Sequence, residues 1–187
     1  MMKEERQIII VFNGVGSSGK SSTARELQEQ ASLPLLHVAM DAFLDMLPAR
    51  MFGDPDGLVF RQSQDDGKMS IDIETGAVCQ RLLGGMRQSI LAMAQMGNSM
   101  IVDEVLAGDA VFDYQQLLAG FDVRFVGFFM PLNVLEEREA KRGDREIGLA
   151  RGQFPTIRRG IGYDLELDNP SATPRENATT IRSAFGL

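Results

Sequence analysis

The chain has almost no cysteine and almost no histidine. Its single cysteine, Cys79, can form neither an internal disulfide bond nor a cysteine-rich metal site. Its single histidine, His37, lies inside a predicted strand, where a packed and hydrogen-bonded side chain is the expected state. These two counts exclude a zinc site built from cysteine and histidine, and they give no basis for a Ser/His/Asp catalytic triad.

Long apolar runs and surplus positive charge are also missing. No apolar run approaches the roughly 20 residues that a membrane-spanning helix needs. The N-terminus is charged and leads straight into a strand, so it does not look like a signal peptide. A formal net charge of −7 argues against binding to a nucleic-acid backbone. The sequence therefore predicts a cytoplasmic protein that binds neither membranes nor nucleic acid.

Apolar strands and helical segments alternate along all 187 residues, without a repeat or a linker. This alternation predicts a single α/β domain, residues 1–187, with a parallel sheet. Strands are predicted at 8–12, 35–40, 99–102, 123–129 and, at a sheet edge, 163–168. Helices are predicted at 21–31, 42–47, 75–96, 109–118, 131–142 and 174–185. Residues 49–76 depart from this rhythm, because turn clusters there bracket two short stretches (58–61 and 69–73) that favour a hairpin over the substrate side.

The most specific pattern follows the first strand. The residues Gly14–Ser21, G-V-G-S-S-G-K-S, fit G-x-x-x-x-G-K-[ST] at every fixed position, and a helix follows. In such a phosphate loop (P-loop), backbone N–H groups surround the phosphates, Lys20 bridges the β- and γ-phosphates, and the Ser21 hydroxyl coordinates Mg²⁺. A glycine-rich turn is the alternative, but the strand–loop–helix context favours a nucleoside triphosphate site. Its predicted contacts are Gly14, Val15, Gly16, Ser17, Ser18, Gly19, Lys20, Ser21 and Ser22.

Two carboxylates directly follow predicted strands. Asp103 lies where P-loop proteins hold Mg²⁺ beside the loop serine, although a turn or cap aspartate fits the pattern equally well. Asp41, like Asp103 and Lys20, should face the crevice at the carboxyl ends of the strands. A carboxylate there can accept the proton of an attacking hydroxyl, but spacing alone favours an N-cap. The pattern does not divide roles between Asp103 and Glu104.

Positive charge is concentrated in residues 137–160, although the whole chain is acidic. This segment holds seven of the 19 basic side chains against four acidic ones. A solvated helix face with ion pairs is one interpretation, but beside a P-loop an anion-facing cluster is the better one. We expect Arg142 and Arg145, which flank a Gly-Asp pair, to close over the phosphates and neutralise charge in the transition state. Arg138, one turn earlier, is placed to stack on the base.

Five segments together carry a resemblance to a known family. They are F-N-G-V-G-S-S-G-K-S-S at 12–22, A-M-D-A-F-L-D-M-L-P at 39–48, M-I-V-D-E-V-L-A-G at 100–108, E-R-E-A-K-R-G-D-R at 137–145 and G-Y-D-L-E-L-D at 162–168. In this order and spacing, the chain resembles the chloramphenicol phosphotransferase family nearly from end to end. These are small P-loop kinases related in fold to shikimate, adenylylsulfate and nucleoside monophosphate kinases.

The resemblance implies a three-layer P-loop kinase fold with a five-stranded parallel sheet flanked by helices. It also implies transfer of the γ-phosphoryl group of ATP, with Mg²⁺, to a hydroxyl of chloramphenicol or a related compound, which would inactivate an antibiotic. In the family, the aspartate at the position of Asp41 is the proposed base, which reverses the preference for a capping role. Arg142 and Arg145 match the family's lid arginines, so the lid is expected at about 138–152. Assembly into a homo-oligomer is compatible with the family.

Two departures from the family pattern keep the acceptor open. Asp103-Glu104 replaces an Asp-Asp pair, and residues 50–76 match only loosely. A sugar, a shikimate-like compound, a nucleotide or adenylylsulfate is the alternative acceptor, and a nucleotide-binding regulator without transferase activity is a further possibility. A GTPase switch is disfavoured, because guanine recognition uses Asn-Lys-x-Asp and no asparagine here precedes a lysine.

Overall fold

A five-stranded parallel sheet forms the centre of the structure. The computed structural model describes residues 7–106, 110–143, 146–157 and 160–187. These residues form the strands β1 (Ile9–Gly14), β2 (Leu35–Ala39), β3 (Leu58–Asp65), β4 (Lys68–Thr75), β5 (Ser99–Glu104), β6 (Val123–Phe128) and β7 (Leu165–Leu167). The central sheet has the order β2-β5-β1-β6-β7, with all of its ladders parallel. The prediction of an edge strand near 163–168 is therefore confirmed.

Helices cover both faces of this sheet. They are α1 (Lys20–Gln30), α2 (Met40–Leu44), α3 (Ala77–Gln95), α4 (Ala110–Leu117), α5 (Leu132–Arg142), α6 (Leu149–Gln153) and α7 (Pro174–Phe185), with a short 3₁₀ helix at Ala49–Met51. The sequence did not predict α6. Helix α7 begins with a capping box, in which the Thr173 side chain accepts from the Glu176 amide and the Glu176 side chain accepts from the Thr173 amide. No described helix is long and apolar enough to cross a membrane.

The side chains of β1 alternate between two hydrophobic cores, one on each face of the sheet. Ile8, Ile10 and Phe12 pack in one core with α1 and α7. Ile9 and Val11 pack in the other with α3 and α4. Because β1 is central and all these side chains are fully buried, its apolar run is continuous instead of alternating with polar residues. The result is the expected three-layer arrangement.

Strands β3 and β4, which lie between α2 and α3 in the sequence, form an antiparallel hairpin that is separate from the central sheet. It extends well beyond the predicted stretches, because backbone pairing continues through polar residues as far as Asp65 and Lys68. Asp66 and Gly67, with φ angles of 51° and 71°, make the two-residue turn. At the other end, Leu58 packs with Cys79 of α3 in a small core of its own. The hairpin is thus anchored at its base.

Candidate active site

The carboxyl ends of β1, β5 and β2 bring three predicted residues to one edge of the sheet. Strand β1 leads into the P-loop (residues 14–21), and Lys20 begins α1. Asp103 lies near the end of β5, where its register partner on β2 is Ala39. Asp41 follows Ala39 by two residues. Parallel pairing therefore places Asp41, just after β2, and Asp103, near the end of β5, at the same edge of the sheet as the P-loop.

The P-loop backbone adopts a positive φ at two positions. Ser17 has a φ of 65° and Gly19 a φ of 99°, and the second value is one that L side chains rarely adopt. Within the described part of the chain, the buried hydroxyls of Ser17 and Ser18 have no hydrogen-bond partner. Buried polar atoms are usually paired, so the two hydroxyls indicate a site made for a polar ligand.

Lys20, Ser21 and Asp103 contact one another at the base of the P-loop. The Lys20 Nζ donates to the Gly14 carbonyl oxygen at 2.9 Å and lies 3.8 Å from the Asp103 Oδ1. The Ser21 hydroxyl donates to the Asp103 Oδ2 at 2.5 Å, and the His37 Nε2 lies 3.5 Å from the same oxygen. Burial of Asp103 raises its pKa, but the contact with His37, the charge of Lys20 and the Ser21 hydroxyl outweigh it, so the pKa is lowered. Asp103 is therefore an anion.

This group of oxygen atoms fits a magnesium ion better than a transition metal. In the described residues, no cluster of three or more His, Cys, Asp or Glu side chains is arranged to hold a metal. Mg²⁺ in phosphate-transfer sites is instead held by one or two protein oxygens, phosphate oxygens and water. The Ser21 hydroxyl and the Asp103 carboxylate, in contact with each other, supply that number.

Glu104 faces away from the P-loop, because successive side chains of β5 point to opposite faces. Its Oε2 accepts from the Tyr114 hydroxyl at 2.5 Å, and its Oε1 accepts from the Arg87 Nη2 at 3.1 Å. Burial of Tyr114 and the nearby charge of Glu104 raise the pKa of that phenol. Glu104 thus ties β5 to α3 and α4, and Asp103 is the member of the pair that faces the phosphate site.

We expect Glu104→Ala to lower stability and leave catalysis nearly intact. Removing one partner of a buried ion pair costs about 3–5 kcal/mol. Since about a fifth of the Arg87 side chain is exposed, we expect about 3 kcal/mol, which lowers the melting temperature by about 6–12 °C in a protein of this size. Thermal denaturation and kcat/KM, measured well below the melting point, test this. A hundredfold loss of kcat/KM with an unchanged melting temperature would instead put Glu104 in the metal site.

The structure rules out the capping role for Asp41. Helix α2 begins at Met40, and its N-cap residue is Ala39. Asp41 therefore lies in the first turn, where its charge interacts favourably with the helix dipole, and the residue is exposed at the edge of the crevice. This position is compatible with contact to an acceptor molecule.

Two of the three predicted arginines, Arg138 and Arg142, lie on α5. Arg142 is the exposed last residue of that helix, and Gly143 ends it with a φ of 68°. The Arg138 Nη2 donates to the Pro170 carbonyl oxygen at 3.0 Å, which joins α5 to the segment after β7. Arg145 lies outside the described residues. The roles of all three arginines stay predictions.

Several residues that organise the site had no signal in the sequence strong enough to identify them. The Asn13 Oδ1 accepts from the Leu106 amide at 2.7 Å, and its Nδ2 donates to the Tyr163 hydroxyl at 2.7 Å. These bonds fix the start of the P-loop to the segment after β5 and to the segment before β7. The Gln153 Oε1 accepts from the Gly16 amide at 3.0 Å, although the two residues are 137 positions apart. Only Asn13, a polar residue at the end of an apolar strand, gave a visible hint.

Glu139 is another residue with a structural task near the site. It is only 2% exposed, and its two carboxylate oxygens accept from the Gly148 and Ala150 amides, both at 2.8 Å. These bonds hold the beginning of α6 against α5. Glu139, one of the four acidic residues of the basic segment, is therefore explained by α6, which the sequence pattern did not reveal.

The chain matches known proteins along almost its whole length. The family model described as chloramphenicol phosphotransferase-like protein matches residues 7–186. A protein of Mycobacterium tuberculosis (strain ATCC 25618 / H37Rv), named "Putative O-phosphotransferase Rv2636", is 25% identical over 183 residues, which are 95% of this chain and 81% of that relative.

Solved structures show the same fold at lower identity. The APS kinase CysC of Mycobacterium tuberculosis, in complex with AMPPNP and APS, has a TM-score of 0.65 and 18% identity, covering 97% of this chain and 99% of that one. A gluconokinase from Sinorhizobium meliloti 1021 has a TM-score of 0.63 and 16% identity, covering 98% and 93%. These similarities confirm the P-loop kinase fold. Since the family model spans both the P-loop and the strand ends around it, the chain belongs to the chloramphenicol phosphotransferase-like family and is a P-loop phosphotransferase of the small-molecule kinase type.

Proposed function

We propose that the protein transfers the γ-phosphoryl group of ATP to a hydroxyl group of chloramphenicol or a compound like it. The observation that carries this proposal is the position of Asp41 in the first turn of α2, two residues after Ala39, which is the register partner of Asp103 at the edge of the sheet that holds the P-loop. A carboxylate able to take a proton, a lysine and a magnesium-binding pair are the groups that phosphoryl transfer requires. Family membership supports the reaction, and the resemblance in residues 39–48 supports the acceptor.

The P-loop and its neighbours bind and neutralise the triphosphate in this proposal. Loop amides and Lys20 hold the phosphates; the Ser21 hydroxyl and Asp103 would hold Mg²⁺, which would neutralise part of the charge of the triphosphate. Asp103 is suited to this role because its lowered pKa keeps it charged at neutral pH. Arg142 and Arg145 are assigned, through the family resemblance, to the charge that develops on the transferred group.

The order of the strands supports one orientation of the triphosphate across the sheet. Asp41 lies on the β2 side of the P-loop. A cleft of about 280 Å³ lies on the other side, at the carboxyl ends of β6 and β7. That cleft is lined by Phe129, Met130, Pro131, Phe154, Ile157 and Asp168. Its apolar walls suit a base, and Arg138 reaches the adjoining segment at Pro170. The γ-phosphate then points toward Asp41.

Asp41 acts as the general base. It accepts the proton of the acceptor hydroxyl while that oxygen bonds to the γ-phosphorus, and the bond to the β–γ bridging oxygen breaks to release ADP. The charges are balanced, because the proton stays on Asp41 until it is lost to solvent. Positioning supplies most of the rate, since both reactants are held at one edge of the sheet.

A search for phosphorylated product by mass spectrometry tests this proposal. The protein is incubated with ATP, Mg²⁺ and chloramphenicol, and a product heavier by one phosphoryl group is expected. A parallel panel of a sugar, a shikimate-like compound, a nucleotide and adenylylsulfate reports which acceptor stimulates ADP release. Product from another panel member alone would replace chloramphenicol, and ATP binding without acceptor-dependent ADP release from any compound would favour a regulator.

A further inference from the structure

Helix α6 lies along strand β4 of the hairpin and contacts the P-loop at its last residue. At its last residue, the Gln153 side chain accepts a hydrogen bond from the Gly16 amide at 3.0 Å. Just before its first residue, the Gly148 carbonyl oxygen accepts from the Ile71 amide of β4 at 2.9 Å. The five residues of α6 therefore connect the P-loop to the β3–β4 hairpin, although these two segments do not pair with each other.

The contact between α6 and β4 is close enough to transmit movement. A Cβ atom on Gly152 would lie 2.0 Å from the Ile71 carbonyl oxygen, so the two backbones touch with no side chain between them. Because the two backbones are packed directly against each other, we expect α6 and β4 to shift together.

Ion pairs fasten the same contact. The Arg151 Nη1 donates to Asp65 of β3 at 2.9 Å, and its Nε donates to Glu136 of α5 at 2.9 Å. Lys68 of β4 donates to the same Glu136 at 2.8 Å. The Arg151 side chain is 10% exposed and that of Glu136 is 22% exposed, so the pair between them is shielded better than an ordinary surface ion pair, whereas Asp65 is 63% exposed. The hairpin, α5 and α6 therefore form one connected unit.

The hydrogen bond between Gln153 and Gly16 uses a backbone amide that a bound phosphate also needs. The Gly16 amide belongs to the P-loop, whose backbone N–H groups donate to phosphate oxygens. A single N–H cannot serve the Gln153 oxygen and a phosphate oxygen at full strength. A bound phosphate therefore competes with Gln153 for the Gly16 amide.

We propose that Gln153 is a positioning residue that couples phosphate binding at the P-loop to the position of the β3–β4 hairpin. Phosphate displaces the Gln153 oxygen from Gly16, α6 shifts, and the hairpin shifts with it because of the backbone contact at Ile71. The proposal rests on the proposed function to the extent that the P-loop ligand is a nucleotide. It adds that the substrate-side hairpin responds before any acceptor is present.

Two substitutions at Gln153 make opposite predictions for nucleotide affinity. Gln153→Ala removes the competitor, so Mg·ADP and Mg·AMPPNP should bind about three- to tenfold more tightly. Gln153→Glu keeps the acceptor oxygen and adds a negative charge near the phosphates, so both should bind at least about tenfold more weakly. Isothermal titration calorimetry measures both, with Gln95→Ala, exposed at the end of α3, as the control. A merely structural role for Gln153 would weaken binding in both variants and would overturn the proposal.

Spin labels measure the movement of the hairpin directly. Labels at Gln64→Cys on β3 and Ser183→Cys on α7 occupy exposed positions, while the native Cys79 is fully buried and protected from labelling. Double electron–electron resonance should show a distance change on adding Mg·ADP to the protein with Gln153, and no such change with Gln153→Ala. An equal change in both proteins would refute the coupling. If Mg·ADP fails to bind the parent protein at all, the proposed function has failed instead.

Discussion

Asp41→Asn should reduce kcat by about 10²–10⁴-fold and leave the affinity for Mg·ATP within about twofold of the parent protein. Asparagine has nearly the same shape as aspartate but cannot accept the proton of the acceptor hydroxyl. The triphosphate contacts come from other residues, so binding of Mg·ATP is expected to persist. Steady-state kinetics with the acceptor found by the product search, together with calorimetric titration of Mg·ATP, measure the two effects separately.

Asp45→Asn is the matched control for this experiment. Asp45 is also an exposed aspartate, one turn further along and at the C-cap of α2. The same chemical change there should leave kcat within about twofold, since Asp45 lies at the end of α2 that is farther along the chain from β2 and the edge of the central sheet. Near-normal turnover of Asp41→Asn would remove Asp41 as the base, whereas equal losses in both variants would indicate damage to α2.

Lys20→Met should lower kcat/KM by about 10²–10³-fold, the loss typical for one electrostatic contact to the transition state. Unlike the change at Asp41, it should also weaken binding of Mg·ATP by at least about tenfold, because Lys20 holds the phosphates in the ground state too. Methionine retains an unbranched chain of similar length in a position that is 7% exposed. Calorimetry and kinetics measure both losses.

Arg182→Met provides the comparison for the loss of one positive charge. Arg182 is exposed on α7, on the outer layer of the fold. Its replacement should leave both affinity and kcat/KM within about twofold. If Lys20→Met retains Mg·ATP affinity within twofold and keeps its melting temperature, then Lys20 does not bind the triphosphate.

The P-loop was predictable because its determinants are local in the sequence. An apolar run, glycines at fixed positions and a lysine before a serine specify strand, turn and helix within about one supersecondary unit. The helix from Pro174 was predictable for the same reason, since its capping box involves only Thr173 and Glu176. The five-stranded sheet and the three layers were implied by the family resemblance, which the fold confirms, whereas the order of the strands was not predicted beyond the edge position of residues 163–168.

The division between Asp103 and Glu104 was not predictable from the pattern. Alternation places the two side chains on opposite faces of β5, but it does not say which face holds the P-loop. That assignment depends on Arg87 and Tyr114, which reach Glu104 from two helices. The interpretation of Asp41 as the N-cap residue of α2 was wrong, because α2 begins at Met40, earlier than the spacing indicated.

Helix α6 and Gln153 show the other limit of sequence interpretation. The helix has five residues, contains Gly152, and is preceded by Gly148 and followed by Pro155, so its propensity is low. It forms because Glu139 caps it and β4 packs against it. The bond from Gln153 to Gly16 then depends on this tertiary packing, and no periodicity in the sequence records it.

The separation of the two sheets has a consequence for how such a protein can diversify. Strands β3 and β4 pair only with each other among the described strands, so their backbone is not part of the scaffold that carries Lys20 and Asp103. A replacement hairpin therefore has to preserve only the contacts of Leu58 with Cys79, of Ile71 with α6 and of Asp65 with Arg151. Under the proposed function, such a replacement changes the surroundings of the acceptor without altering the residues that bind the nucleotide.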